Sequence, residues 1–508
     1  MKKTAIIIGG GPGGLAAAML LAGRGYSVDV YEKADRVGGR NALLTLGPND
    51  EWKFDTGPTI LALPRIYEEL FLEVGLKMED YVTLMQLDTT FKLQFTDFEI
   101  DMTLDRARVR EQIEKLFPGS GAQYDRFLAD EEKRFAKIFP LLQKRYFGFR
   151  DLLDRRVFSA IPSMGLGKSV MDRLAEYFDD ERLRLLFTFQ SKYIGMSPWV
   201  APALFSILPY MEHHFGVFHV KGGLNQLSHG LAKAAQELGA RIHFNTPVAE
   251  IIVENGATVG VRLENGEEKR ADDIVINADV SYAFLNLFPK NTLKKWTPAK
   301  LEKAKYSCST MVMYFAVDTT YPLEHNTISF SKDYRTFVEN MVAEKPQGDD
   351  VSFYVVNTAA TDDSMAPKGT TALYVLVPVS NQRAGADWSV EASKIREYVL
   401  SQMEERLNMH GIRDHILHER IITPDEWNQD FNVHLGAVFN LGHQLNQMMM
   451  FRPHNKFEEL EHCFLVGGGT HPGSGLPTIY ESARISANAI DEQYGIMRDE
   501  PNSLNDLY

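Results

Sequence analysis

Three glycines near the N-terminus, Gly9, Gly11 and Gly14, carry the Gly-x-Gly-x-x-Gly spacing with which a backbone wraps a pyrophosphate. Gly9 permits a tight turn, Gly11 lets the chain approach the phosphates, and Gly14 lets a helix pack closely on a strand. Pro12 and Gly13 complete the turn at a helix N-terminus, whose unpaired N–H groups and partial positive charge attract anions. Glu32 follows at about the 20-residue distance where a carboxylate accepts hydrogen bonds from an adenosine ribose. Directly behind it come Lys33 and the run Val37-Gly38-Gly39-Arg40. Adjacent glycines there suit a loop pressed against a cofactor, and the planar donor fork of Arg40 suits a pyrophosphate. Gly57-Pro58-Thr59 supplies another sharp turn with short polar side chains.

The far end of the chain repeats the theme. Gly467-Gly468-Gly469-Thr470-His471-Pro472-Gly473-Ser474-Gly475-Leu476-Pro477 separates an apolar run from a helix rich in small residues. Gly469, Thr470, Gly473, Gly475, Leu476 and Pro477 are therefore candidate binding positions at a second anion-attracting helix start. Two such sites at opposite ends of one chain fit a long two-headed cofactor, and FAD has that shape. The first turn would hold its pyrophosphate; the second helix would direct its positive end at the isoalloxazine and favour the reduced form. His471 is the weak candidate for a general base, without an identifiable partner, and no other catalytic side chain is assigned. No metal-ligand pattern is read: the two cysteines, Cys308 and Cys463, form no CxxC pair.

The elements that must position these residues follow from apolar periodicity. Thr4–Ile8 and Ser27–Tyr31 read as buried strands flanking a helix through Leu15–Ala22. Leu224, Leu227, Leu231, Ala235 and Leu238 recur at helical spacing up to Gly239. Short strands follow at 241–244, 248–253, 259–263 and 273–278, turned by Asn255-Gly256 and Asn265-Gly266. Cys463–Val466 reads as the last strand, with its helix beginning near Ile479. The stretches 85–215 and 285–425 differ in character, alternating charge with large aromatics, then carrying strand-like runs at Met311–Val317 and Ala372–Val377. The expected organisation is a cofactor domain in three pieces (1–84, 216–284, 426–495), a split substrate domain (85–215, 285–425) and a polar tail from 496 to 508.

Length and composition bound the class. A chain of 508 residues, 44% hydrophobic and 24% charged, is a globular protein of more than one domain. A net charge of −14 argues against nucleic-acid binding, which needs a basic face. Without a spanning apolar run or a leader, the expected location is cytoplasmic and peripherally membrane-associated. Lys144, Arg145, Arg150, Arg155 and Arg156 interleave with aromatics, as on a helix lying at a lipid surface or on a solvated charged face.

The combination of IIIGGGPGGLAAA, Glu32, VGGR and GGGTHPGSGLP closely resembles the bacterial phytoene desaturase-type family, FAD-dependent carotenoid desaturases within the flavin amine oxidase-like superfamily. Gly222-Gly223-Leu224 and Phe451-Arg452-Pro453-His454 extend the resemblance along essentially the whole chain. It implies an α/β fold: a Rossmann-type FAD-binding domain of glutathione reductase-like topology, an interleaved α+β substrate domain, and a helical, membrane-contacting region. In that family the residue matching Val248 presents backbone groups to adenine. The implied reaction moves hydride from a colourless polyene, phytoene or dehydrosqualene, to the flavin. Because a polyene has no polar handle, positioning by apolar burial is the protein's main contribution. The same scaffold serves carotenoid oxygenases and isomerases. It also serves flavin amine oxidases, and prenyl-binding escort proteins that lack a full flavin site. The expected partners are an apolar polyene and a membrane surface, with homo-oligomerisation left open.

Overall fold

Apolar β-branched runs buried on both faces build a parallel sheet. Such runs form the inner strands of a five-stranded sheet in the computed structural model, which describes residues 2–498, and the polar Arg241–His243 closes one edge. Their order is Cys463–Leu465, Asp273–Ile276, Thr4–Ile8, Ser27–Tyr31 and Arg241–His243, with every pairing parallel. Ile6 sits between Ile274 and Asp29, so three distant stretches of chain share one sheet.

The helix Pro12–Gly23 starts at the glycine turn and buries Leu15 through Ala22. A helix apolar all round needs cover on every side. It lies on the sheet and packs against the helices Asn225–Glu237 and Leu476–Gln493. The last of these begins earlier than the expected Ile479. Gly475, at φ +116°, is its N-cap, and Pro477 sits in its first turn, where a missing N–H costs nothing. The Leu476-Pro477 pair is therefore helix, not loop.

A second sheet has seven strands in the order Ile416–Ile422, Ser309–Val317, Thr371–Val379, Phe353–Asn357, Asn326–Ser329, Thr89–Gln94 and Glu99–Thr103. Only the pairing of Asn326–Ser329 with Thr89–Gln94 is parallel. All of Ser309–Val317 is buried. The helices Gly121–Leu142 and Ile207–Phe215 pack together, and a cavity separates them from this sheet. A small antiparallel meander, Val248–Glu254, Ala257–Leu263 and Glu268–Arg270, completes the cofactor side. Cys308 and Cys463 are both free and buried. Among the described residues no helix is long and apolar enough to cross a membrane. Residues 499–508 of the expected tail lie outside the described residues.

Candidate active site

The two glycine loops meet. A Cβ built on Gly13 would lie 2.8 Å from Asn277 Oδ1, 3.2 Å from Ile479 Cγ2 and 3.3 Å from the amide nitrogen of Gly467. A Cβ on Gly14 would lie 2.2 Å from the Gly9 carbonyl oxygen, so the turn closes only without one. Gly9 itself has φ +98°, a conformation suited to glycine. Asn277, at the end of the strand Asp273–Ile276, donates from Nδ2 to the Gly9 carbonyl at 3.0 Å and so ties the end of this strand to the first glycine loop. Sequence reasoning placed this strand but missed the side chain that follows it.

A cavity of about 1110 Å³ extends from this junction. Its walls include Gly9, Gly11, Pro12, Gly13, Glu32, Lys33, Gly39, Arg40, Gly57, Pro58, Thr59, Val248, Gly469, Gly475, Leu476 and Pro477. Gly14, Thr470, His471 and Gly473 are not wall residues. Gly14 packs beneath the turn, and Thr470 donates to the Pro453 carbonyl at 2.6 Å. Gly473 is needed for another reason, because a Cβ there would stand 2.6 Å from His443 Nε2.

Glu32 is buried, and each carboxylate oxygen accepts one backbone N–H: Gly10 at 2.7 Å and Ala34 at 2.8 Å. A carboxylate has about four lone-pair sites, so acceptor capacity remains toward the cavity. Arg40 donates to the Val438 carbonyl, with the Asp279 carboxylate nearby; burial lowers its pKa. Lys33 donates to the Asp430 carbonyl at 2.7 Å. The loop bearing Gly57 is held from the second sheet: Tyr314 donates to the Thr56 carbonyl, and Tyr374 to that of Gly57 at 2.8 Å. A Cβ on Gly57 would lie 2.6 Å from the Arg40 carbonyl oxygen.

His471 does not fit the role of a base. Its Nε2–H donates to the Lys144 carbonyl at 2.9 Å, its ring stands edge-on to Tyr146, and burial pushes its pKa down to about 3. His443, unnoticed in the sequence, does line the cavity. Its Nδ1–H donates to the Ile194 carbonyl at 3.2 Å and its Nε2 accepts the Ser474 N–H at 3.1 Å. Burial and the Arg452 charge keep it neutral. Arg452 is fully buried and donates to the carbonyls of Leu441, Gly442, Gln447 and Gly468, strapping this loop to the glycine turn. Asp430–Val433 and Val438–Asn440 also reach the wall, with no sequence signal to announce them.

Beyond the glycine loops the wall turns apolar. Phe91, Ile138, Phe139, Leu142, Phe189, Leu204, Phe205, Leu208, Met211, Ile328 and Phe353 line it, together with Lys192 and Met448. A polar cradle thus opens directly into a hydrocarbon-lined chamber.

The residues present fit a flavin dinucleotide. Closely set glycines leave room where a Cβ would collide, two helix starts converge, and Glu32 retains acceptor capacity. Residues 12–491 match the flavin containing amine oxidoreductases, and the chain belongs to that family. Its cofactor is FAD. Among its relatives is the 4,4'-diapophytoene desaturase (4,4'-diapolycopene-forming) of Methylomonas sp, 45% identical over 97% of this chain and 96% of the relative. The all-trans-zeta-carotene desaturase of Myxococcus xanthus is 38% identical, covering 96% and 93%. The lycopene-forming phytoene desaturase of Pseudescherichia vulneris is 32% identical, covering 97% and 99%. Cyclohexylamine oxidase from Brevibacterium oxydans shares the fold, with a TM-score of 0.61 at 17% identity over 97% of this chain and all (100%) of that one. An oxidoreductase from Methanosarcina mazei does so at 0.63, with 17% identity over 95% and 99%.

Proposed function

We infer that the protein is an FAD-dependent carotenoid desaturase that introduces double bonds into a colourless linear polyene. The observation that carries this reading is the continuity of one cavity from the glycine turns to an apolar chamber. The 45% identity to a diapophytoene desaturase favours 4,4'-diapophytoene over phytoene as the substrate.

Bound FAD supplies the hydride acceptor. Glu32 would take the ribose, Gly11 to Gly13 and Arg40 the pyrophosphate, and Val248 the adenine edge. The start of Leu476–Gln493 would face the flavin ring with its partial positive charge. The chamber residues bind the chain by burial, at about 25 cal/mol per Å² of apolar surface. They also exclude water from the reacting bond and fix which carbons lie beside the cofactor. His443, locked by two hydrogen bonds, positions the Ser474 backbone and does not move a proton.

Substrate access supports a membrane-surface location. The helix Gly121–Leu142 lines the chamber through Ile138, Phe139 and Leu142. Soon after it, Leu153, Phe158, Ile161 and Leu166 stand 71%, 54%, 41% and 57% exposed, among the exposed arginines Arg150 and Arg155. Apolar side chains in water beside cations suit adsorption to an anionic bilayer.

Two measurements test the reading. Anaerobic mixing of the flavin-loaded enzyme with diapophytoene or phytoene in vesicles should bleach the flavin and raise visible polyene bands. Absence of both refutes the desaturase assignment, and faster reduction by phytoene refutes the substrate preference. Co-sedimentation with anionic vesicles should be lost in a Leu153→Ser/Phe158→Ser double variant; unchanged binding refutes the membrane patch.

A further inference from the structure

A plain hydrocarbon makes no use of a carboxylate, and a carboxylate on the wall of an apolar chamber gives up hydration to be there. Glu212 is such a group. It stands on the helix Ile207–Phe215, one residue past Met211 and one turn past Leu208, and all three line the chamber. The residue is only 6% exposed.

The surroundings of Glu212 are rich in acceptors. Its carboxylate accepts the Gln190 Nε2–H at 2.7 Å. Because a carboxylate only accepts, this bond fixes which way the amide points. Gln190 Oε1, buried beside it, meets no donor among the described residues. Phe189, next in the chain, stands edge-on to Phe91 at 4.9 Å, and Phe91 lies 6.3 Å from Tyr354. These three rings line the chamber too. Tyr354 spends its proton on Asn326 Oδ1 at 2.5 Å and accepts the Thr59 hydroxyl at 3.1 Å. Its phenol is raised by burial, and the Glu212 charge adds to the effect. One corner of the chamber therefore combines a carboxylate, an unsatisfied amide oxygen and a phenol whose proton is already given away.

We propose that this corner receives a hydroxyl group, so that the chamber takes acyclic polyenes bearing an alcohol in preference to the plain hydrocarbon. The inference rests on the desaturase reading above. The alcohol O–H donates to the Glu212 carboxylate, Gln190 holds that carboxylate in place, and the rings of Phe91 and Phe189 cover the adjoining carbons. The hydroxyl is bound and not transformed. A polyene without it leaves the buried acceptors facing C–H groups, the mismatch by which a polar site rejects an apolar analogue.

The test compares diapophytoene with diapophytoene hydrated at one terminal double bond, each in vesicles with FAD-loaded enzyme, by anaerobic flavin reduction. Wild type should prefer the alcohol by about 10-fold or more in kcat/KM, carried mainly by KM. Glu212→Gln should lose most of that ratio. A Glu212→Leu/Gln190→Leu double variant, which removes both partners and leaves neither buried alone, should bring it to about 1 or below. A second readout needs no turnover: the Kd of each polyene for oxidised enzyme, from quenching of protein fluorescence, should show the same ratios. A wild-type Kd ratio of 1 or less, or a double variant that keeps the wild-type ratio, overturns the proposal. If neither polyene reduces the flavin while the Kd ratio stands, the desaturase reading fails and the hydroxyl site does not.

Discussion

Gly14→Ala tests the cofactor cradle at its tightest point. The added methyl would stand 2.2 Å from the Gly9 carbonyl oxygen and 2.8 Å from Asn277 Nδ2, distances that a real Cβ does not adopt. The first neighbour is backbone, so rotamer changes bring no relief. The carbonyl would have to retreat by most of an ångström, and it is already held by the Asn277 amide at 3.0 Å. Overpacking of this kind costs about 1–3 kcal/mol. The displaced atoms belong to the turn whose N–H groups receive the pyrophosphate, so FAD affinity should weaken about 5- to 150-fold. The assay is titration of apoprotein with FAD by flavin fluorescence quenching, beside a thermal melt. Gly348→Ala, where a Cβ meets nothing within 4 Å, is the control and should bind as wild type does. A Gly14→Ala protein with unchanged FAD affinity and melting temperature would refute the packing argument and the placement of the phosphates.

Glu32→Gln removes the charge from a carboxylate that caps Gly10 and Ala34 and faces the cavity. Loss of charge-assisted hydrogen bonds of about 1.5–3 kcal/mol should weaken FAD binding about 10- to 150-fold by calorimetry; an unchanged affinity sinks the ribose role. Arg452→Met strips the donor from four buried carbonyls and should cost about 3 kcal/mol or more in chemical denaturation, with loss of bound flavin. A melting temperature equal to wild type contradicts the strap. His213, His325 and His471 are held down by burial to about 4, 3 and 3, so each is neutral when folded and takes up a proton on unfolding near pH 6.5. Their contribution is complete above about pH 6.5 and drains as pH falls toward 4. At pH 5 the loss is about 2 kcal/mol per imidazole relative to pH 8. Denaturation midpoints that do not fall between pH 8 and 5 would count against it.

Local patterns were legible before any coordinates. The strand Thr4–Ile8, the helix after it, Ser27–Tyr31 and the helix carrying Leu224 to Leu238 each announce themselves by periodicity or by a glycine stop, which depend on neighbours in sequence. The start of the last helix was misjudged because Leu476-Pro477 looks like a loop until Gly475 is seen as its cap.

The glycine spacing and the acid at Glu32 are properties of the linear chain and announce a dinucleotide site; together with the second glycine loop at 467–475 they point to FAD. Which remote side chains complete the site was settled by folding alone. Asn277 reaches Gly9 because the parallel sheet sets the strands that end beside them next to each other, and His443 sits over Gly473 because the Ile194 carbonyl and the Ser474 N–H hold its ring there. Proximity across hundreds of residues leaves no periodic trace in a sequence, since it is set by how buried surfaces pack and not by spacing along the backbone.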